Sequence, residues 1–305
     1  MYEIAFRCDA SKYHKIGTGH LHRSLAIAEA LSKRYNLKRN KIIFICKKNS
    51  LFNKVKKIIL SKNFKVLYFV KNNEISFLKK LKSKNIIFDR IGYEKKELIK
   101  MVKKKFKKVI FLESTNIEIN GCMRINSLIH RKNIKYSGYN YLISPLINEK
   151  KNKINTNRRK VFINLGGINK NLTYKIYESL KNIKELKFCL PVGLKINQKN
   201  VEFYDSKNFY KKLKESKIVI CSGGLIFFDA IILKKSILVF AKDKHQKNNL
   251  FNINRLYKTK IPLIRNIKNL KSDFIDIIKR KKNLKVLNIK NMDHTLKLIY
   301  NYLYA

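Results

Sequence analysis

Short apolar runs recur along the chain, each followed by a longer amphipathic stretch, and this alternation leaves few folds open. YEIAF (2–6), KIIFIC (41–46), KVLYFV (65–70), NIIFD (85–89) and KVIFLE (108–113) read as buried strands. Helical patterns lie between them, over about 20–34, 51–62, 74–83 and 94–105. A polar stretch, NEKKNKINTNRRK (148–160), interrupts the pattern and is the expected linker. A second alternation follows: KVFINL (160–165), a helix near 171–183, LKFCLPV (186–192), a helix near 207–215, KIVIC (217–221), a helix near 224–234, and SILVF (236–240). Strands alternating with helices make βαβ units and parallel sheets. The chain is therefore expected to be an α/β protein of two Rossmann-like domains, 1–150 and 151–305. The tail MDHTLKLIYNYLYA reads as a helix returning to the first domain.

Composition narrows the class. The chain has 305 residues, 45% of them hydrophobic, enough for two sizeable cores. No apolar run approaches the length of a membrane span, and the start MYEIAFRCDA has no secretory signal pattern. A cytoplasmic protein with no stable membrane insertion is expected. Five cysteines, Cys8, Cys46, Cys122, Cys189 and Cys221, lack metal-type spacing and read as reduced and mostly buried. The net charge of +50 has two readings, a nucleic-acid or anionic-surface partner and a lysine-rich compositional drift. The lysines are spread through every segment with no single stripe, so no nucleic-acid partner is expected. The charge still favours anionic ligands.

Both halves carry a strand–glycine–helix turn. The first is KIGTGHLHRS, with Gly17, Gly19 and His20; the second is VICSGGLIFFDA, with Ser222, Gly223 and Gly224. A third glycine turn, VFINLGGINKN, holds Gly166, Gly167 and Asn169. Open α/β sheets bind ligands beyond the carboxyl ends of their strands. Helix N-termini in such loops offer free N–H groups and a positive dipole end to an anion. Two such sheets facing one another would enclose a ligand cleft.

On a helical wheel His20 falls on the arc of Leu21, Ser24, Leu25, Ala28 and Leu31, and His22 falls opposite with Glu29 and Lys33. His20 is thus expected to face the sheet end and His22 the solvent. His20 is either a general base or a satisfied buried or capping histidine, and the pattern leaves both open. The helix end favours neutral imidazole while a nearby diphosphate would oppose it. Arg7 is an anion ligand or a strand-end charge. Asp9 and Asp229 are ligand carboxylates or ordinary helix and surface charges. DKHQKNN (243–249), with His245, Gln246 and Asn249, is a ligand loop or a plain polar one.

FRCDASKYHKIGTGHLHRSLAIAEAL resembles the N-terminus of the UDP-sugar hydrolases of pseudaminic acid biosynthesis, which act on UDP-2,4-diacetamido-2,4,6-trideoxy-β-L-altropyranose. YSGYNYLISPLI, VFINLGGINKNLTYKIYESL and IVICSGGLIFFDAIILKKSILVFAKDKHQKNN resemble the rest of that family in order. The two Gly-Gly motifs are shared with a wider group that includes the glycosyltransferase adding N-acetylglucosamine to a peptidoglycan lipid. That resemblance implies the two-domain GT-B fold, with the second domain binding UDP. It implies His20 as the base and Gly223–Gly224 in the uridine loop. Asp229 stands where the family has Glu against the ribose, His245-Gln246 where it has Asn-Gln, and Asn169 where it often has Asp. FDRIGY and FLESTN are looser versions of its acidic loops after strands four and five. Arg7, Asp9, Gly17, Gly19, Gly166, Gly167, Ser222, Gly224, Gln246 and Asn249 complete the implied substrate-binding set. The departures bear on which sugar is used.

The function expected on these grounds is a metal-independent, inverting hydrolase of a UDP-linked 2,4-diacetamido-trideoxy sugar, in pseudaminic or related nonulosonic acid biosynthesis. Its partner is the UDP-sugar, with no cofactor. A GT-B glycosyltransferase using a UDP-amino sugar donor is the alternative.

Overall fold

A computed structural model describes residues 1–8, 19–48, 52–70, 73–92, 95–114, 120–128, 133–148, 157–166, 169–205, 207–241, 244–256, 258–264, 266–279 and 292–305. The chain divides into two compact units, Met1–Glu149 with Ile289–Ala305, and Lys150–Asn288.

In the first unit β1 (Tyr2–Cys8), β2 (Ile42–Lys47), β3 (Lys65–Phe69), β4 (Ser83–Gly92), β5 (Lys108–Ser114), β6 (Met123–Asn126) and β7 (Tyr136–Ser137) form one sheet in the order 3-2-1-4-5-6-7. Every pairing is parallel. The connecting helices are α1 (Gly19–Arg34), α2 (Phe52–Leu60), α3 (Glu74–Lys80) and α4 (Lys96–Lys105). The chain steps outward from β1 to β3, then returns to lay β4 on β1's other side. The β1/β4 pair is therefore the topological switch point.

Side-chain alternation explains how the sheet is covered twice. Ile4, Phe6 and Cys8 of β1 join the cluster of Leu21, Leu25 and Ala28 from α1 and Val55 and Ile59 from α2. Ala5 joins the opposite cluster with Leu78 of α3 and Leu98, Ile99 and Val102 of α4. Small residues on α1, Ser24, Ala26, Ala28 and Ala30, let it sink almost wholly into the fold.

In the second unit β8 (Asn157–Asn164), β9 (Lys187–Pro191), β10 (Val201–Tyr204), β11 (Ser216–Cys221) and β12 (Ser236–Val239) form a parallel sheet in the order 10-9-8-11-12. Its helices are α5 (Lys170–Leu180), α6 (Phe209–Glu215), α7 (Leu225–Ile232), α8 (Lys244–Leu256) and α9 (Leu270–Lys279). The switch point here is β8/β11. The last helix, α10 (Met292–Tyr304), belongs to the first unit, where Leu296, Ile299 and Leu303 enter the α1-side core. Its Tyr300 stacks on Tyr35 with ring centroids 3.8 Å apart.

Two parallel α/β sheets are the architecture the alternation predicts. The expected linker is shortened, because Asn157–Lys160 already belong to β8. Residues 149–156 lie outside the described set. The 243–249 stretch is not a plain loop, since α8 begins at Lys244. β6, β7, β10 and α9 have no counterpart in the sequence reading.

Ile299 tests the attachment of α10. It is fully buried among α1-side residues. Ile299→Ala should cost about 2–5 kcal/mol. The urea midpoint should fall accordingly, and an unchanged midpoint would mean that α10 adds nothing to the first core.

Candidate functional site

Asp89 lies near the end of β4, level with Cys8 of β1 and Leu112 of β5. It is fully buried, as are Arg23 and Ser24 one turn into α1. Arg23 reaches across the sheet end. Its Nε donates to Asp89 Oδ2 at 3.0 Å, its Nη2 to Asp89 Oδ1, and its Nη1 to Glu113 Oε1 at 3.0 Å. Ser24 Oγ also donates to Asp89 Oδ2 at 3.0 Å. Burial alone would push the Asp89 carboxyl up. The Arg23 charge and hydrogen bonds from His20 and Arg23 outweigh it and hold the group at about 2. Burial likewise opposes the Arg23 charge, and the two carboxylates more than restore it.

Glu113 closes the other side. Its φ is +60°, a left-handed conformation that a side chain such as Glu adopts at a cost. The turn aims its carboxylate at Arg23 and at the end of β6. Glu113 accepts from Ser127 N at 3.0 Å, Ser127 Oγ at 2.5 Å and Leu128 N at 3.1 Å.

His20 sits in the first turn of α1, with Nδ1 2.8 Å from Asp89 Oδ1 and 3.3 Å from Arg23 Nη2. An ionised carboxylate only accepts and a guanidinium only donates, so Nδ1 can serve one of them. The shorter contact decides for Asp89, which puts a proton on Nδ1 and leaves Nε2 outside the pair. The His20 side chain keeps 12% exposure while Asp89 keeps none. Of this buried set, only His20 has an edge that a ligand can reach through the solvent.

His22 does not behave as its place on the wheel implied. It is half-buried, and burial, followed by Lys62 and Lys54, pushes it down to about 4. The wheel treats one face as solvent, but α1 is enclosed on nearly every side. Arg7 is buried at the end of β1; its Nε donates to Glu74 Oε1 at 2.6 Å and its guanidinium lies 4.7 Å from the Phe69 ring centre. It serves the α3 face of the sheet, opposite the His20 face. Gly19 opens α1. Asp9, Gly17 and Gly167 lie outside the described residues.

In the second unit the carboxyl-end loops of β8, β11 and β12 converge. Gly166 has φ +63°, its N–H donates to Asn164 Oδ1 at 2.9 Å, and a Cβ there would lie 3.0 Å from Ser222 Oγ. At Gly223 a Cβ would lie 2.5 Å from the Gln246 carbonyl oxygen, so no side chain fits. Asn249 Nδ2 donates to Gly223 O at 3.0 Å and ties α8 to this loop. Gly224 precedes α7 as a cap residue without a side chain, and the Phe227 N–H donates to the Gly224 carbonyl at 3.0 Å. His245 lies in the first turn of α8.

Two residues of the implied set have partners within the second unit. Asn169 caps α5, its Oδ1 accepting from Leu172 N at 3.0 Å. Asp229 is fully buried within α7 and accepts from Tyr210 OH at 3.1 Å. Sequence reasoning missed Arg23 altogether. Asp89 and Glu113 stood within FDRIGY and FLESTN but carried no assigned role. Among the described residues no three His, Cys, Asp or Glu side chains are grouped to hold a metal ion.

No family model and no curated protein matches the chain. Solved structures do. A UDP-GlcNAc 2-epimerase from Neisseria meningitidis, bound to UDP-GlcNAc, aligns over 99% of both chains at 12% identity with a TM-score of 0.58. A putative UDP-N-acetylglucosamine 2-epimerase from Listeria monocytogenes aligns over 98% of this chain and 94% of its own, at 9% identity and a TM-score of 0.65. MurG of Acinetobacter baumannii aligns over 99% of both chains at 13% identity and 0.59. These are GT-B proteins, and the fold of this chain is GT-B.

The depressed Asp89 carboxyl generates a pH prediction. Its unfolded value is about 3.9. A lowered carboxyl stabilises the fold fully above that value, and the contribution fades as the pH falls towards about 2. Asp89→Asn should flatten the acid limb of stability across that window. It should also lower stability at neutral pH by about 3–5 kcal/mol, because Arg23 loses a buried partner. Urea midpoints measured against pH check both, and an acid limb identical to wild type would remove Asp89 from the account.

Proposed function

We propose that this chain is an enzyme acting on a UDP-linked amino sugar, and that it releases UDP by hydrolysis. The observation that carries the proposal is the His20–Asp89 pair at the β1/β4 switch point, with its proton placed on Nδ1. The alignment with UDP-GlcNAc enzymes of the same fold supports the substrate class, and the motif resemblance supports a 2,4-diacetamido-trideoxy sugar of a nonulosonic acid pathway.

In this reading His20 Nε2 takes a proton from water as the water oxygen bonds to the anomeric carbon. The anomeric C–O bond breaks, and its electron pair leaves on the β-phosphate oxygen of UDP. The sugar departs with inverted configuration. Asp89 holds the imidazole in the productive tautomer and stabilises the imidazolium as it forms. The diphosphate is assigned to the second unit. There the start of α7, with Ser222 Oγ and the Gly223–Gly224 backbone, supplies hydrogen-bond donors and a positive dipole end suited to an anion. Gly166 and Gly223 suit this role because each keeps a loop free of side-chain bulk. Gln246 and Asn249 shape the loop from α8. Asp229 ties α7 to α6 through the Tyr210 hydroxyl.

A second reading rests on the same base. An acceptor hydroxyl could take the place of water, as in the glycosyltransferases of this fold. An epimerase, the activity named for two of the aligned structures, would return a UDP-linked sugar instead.

Incubation with UDP-2,4-diacetamido-trideoxy sugars in ¹⁸O water, with EDTA and no acceptor, separates these. Hydrolysis at carbon should give free sugar carrying the label and unlabelled UDP. His20→Gln should slow this by about 10²–10⁴-fold with little change in UDP-sugar affinity. Label in UDP would place the attack at phosphorus. UDP release only when an acceptor is added would favour transfer, and interconversion without UDP release would favour epimerisation.

A further inference from the structure

We infer that the outer edge of the first sheet, at β3 and the adjoining end of α2, docks on an anionic lipid surface. The inference is independent of the reaction proposed above.

Exposed apolar side chains gather at this edge. Leu60 is 47% exposed, Leu67 40%, Tyr68 48% and Val70 55%. They are four of the nine large hydrophobic residues exposed among the described residues, and they fall between positions 60 and 70. β3 ends the sheet order. Edge strands are ordinarily kept from sticking by inward or flanking charges, above all lysine. β3 carries only Lys65, at its start, and then runs Val66, Leu67, Tyr68, Phe69. Tyr68 is held in place: its ring centre lies 4.8 Å from that of Phe52, with Lys48 Nζ 5.3 Å from it.

The charge around the edge is one-sided in a way the rest of the chain is not. From Ala30 to Asn73 there is no Asp or Glu, while thirteen residues are Lys or Arg. Lys54, Lys56, Lys57, Lys62 and Lys65 are exposed beside the apolar group. The bracketing carboxylates are occupied: Glu29 pairs with Lys62 at 3.0 Å, and Glu74 with Arg7 at 2.6 Å and Arg90 at 3.0 Å. Leucine, valine and tyrosine ringed by lysines match the interfacial layer of a bilayer, where apolar side chains enter the acyl boundary and ammonium groups meet lipid phosphates. A second copy of this chain fits less well, because it would bring the lysines flanking the edge, Lys54, Lys56 and Lys57, up to the same lysine-rich surface of its partner. No helix among the described residues is long and apolar enough to cross a membrane, so the contact is one of docking on the surface.

The chain has no tryptophan, which makes an introduced one a clean reporter. Tyr68→Trp should show a blue-shifted emission with phosphatidylglycerol-rich vesicles, quenched by brominated lipid, and no change with pure phosphatidylcholine. In co-sedimentation, a triple variant of Leu67→Ser, Tyr68→Ser and Val70→Ser should lose about tenfold or more in binding to the anionic vesicles. Tyr174→Ser, an exposed aromatic in the second unit, should lose none. Equal sedimentation of the triple variant and wild type would mean that dispersed charge alone binds, and would overturn the proposal. So would an unshifted emission of the Tyr68→Trp variant, a readout that does not depend on the triple variant folding. A concentration-dependent dimer abolished by the triple variant, without vesicle binding, would reassign the edge to self-association.

Discussion

The buried guanidinium of Arg23 is the interaction on which the first unit's functional end depends. A guanidinium keeps its charge in any protein interior and must be met by acceptors. Here two carboxylates meet it, from the ends of β4 and β5, and both are buried with it. Removing either would strip the buried guanidinium of hydrogen-bond acceptors that nothing else replaces. The ion therefore fixes the spacing of α1, β4 and β5 at the sheet's carboxyl end. Glu113 extends that constraint to β6. The carboxylate that neutralises Arg23 also collects the Ser127 and Leu128 N–H groups, and its left-handed backbone is held by those bonds.

This arrangement bears directly on the histidine. Each oxygen of Asp89 has two donors: Oδ1 takes His20 and Arg23, and Oδ2 takes Arg23 and Ser24. A carboxylate so fully engaged has no freedom to rotate away, and His20 is fixed in ring orientation as well as in tautomer. One guanidinium set against two carboxylates leaves the buried set with a formal excess of negative charge. In the proposed reaction a proton arriving on His20 Nε2 would cancel that excess. Preorganised stabilisation of a charge that develops only in the transition state is the larger part of what a site can contribute to rate.

The fold was legible because its signal is repeated. Each buried strand of a doubly covered parallel sheet is an apolar run, and there are enough of them to fix the pattern. Apart from α9, the elements that escaped are those with little apolar content or little length. β7 has two residues, and α8 reads KHQKNNLFNINRL, polar at most positions. The candidate site was legible only in part. His20 stood out from its glycine loop, and the asparagine before α5 could have been read as a cap. Arg23 could not be found, because a lone arginine on a helix is exposed in nearly every protein. Its partners lie 66 and 90 residues further along the chain. The same enclosure of α1 that buries Arg23 half-buries His22, and a helical wheel carries no information about a second layer packed on the outer face.

The lysine-rich composition sharpens the distinction between surface and site. With 70 basic and 20 acidic residues, acids are scarce in this chain. Asp89 and Glu113 cannot be exchanged for a basic residue, because a lysine at either place would put a second cation against Arg23 in the interior. Asp229 is held in the same way by burial and the Tyr210 hydroxyl. The acids retained in the interior thus mark positions where the fold requires a negative charge. Two of these three converge on the element that carries His20. The third belongs to α7, the helix whose N-terminus is assigned the diphosphate in the proposed function. In a chain where surface charge says little, the buried acids are where composition becomes an argument about chemistry.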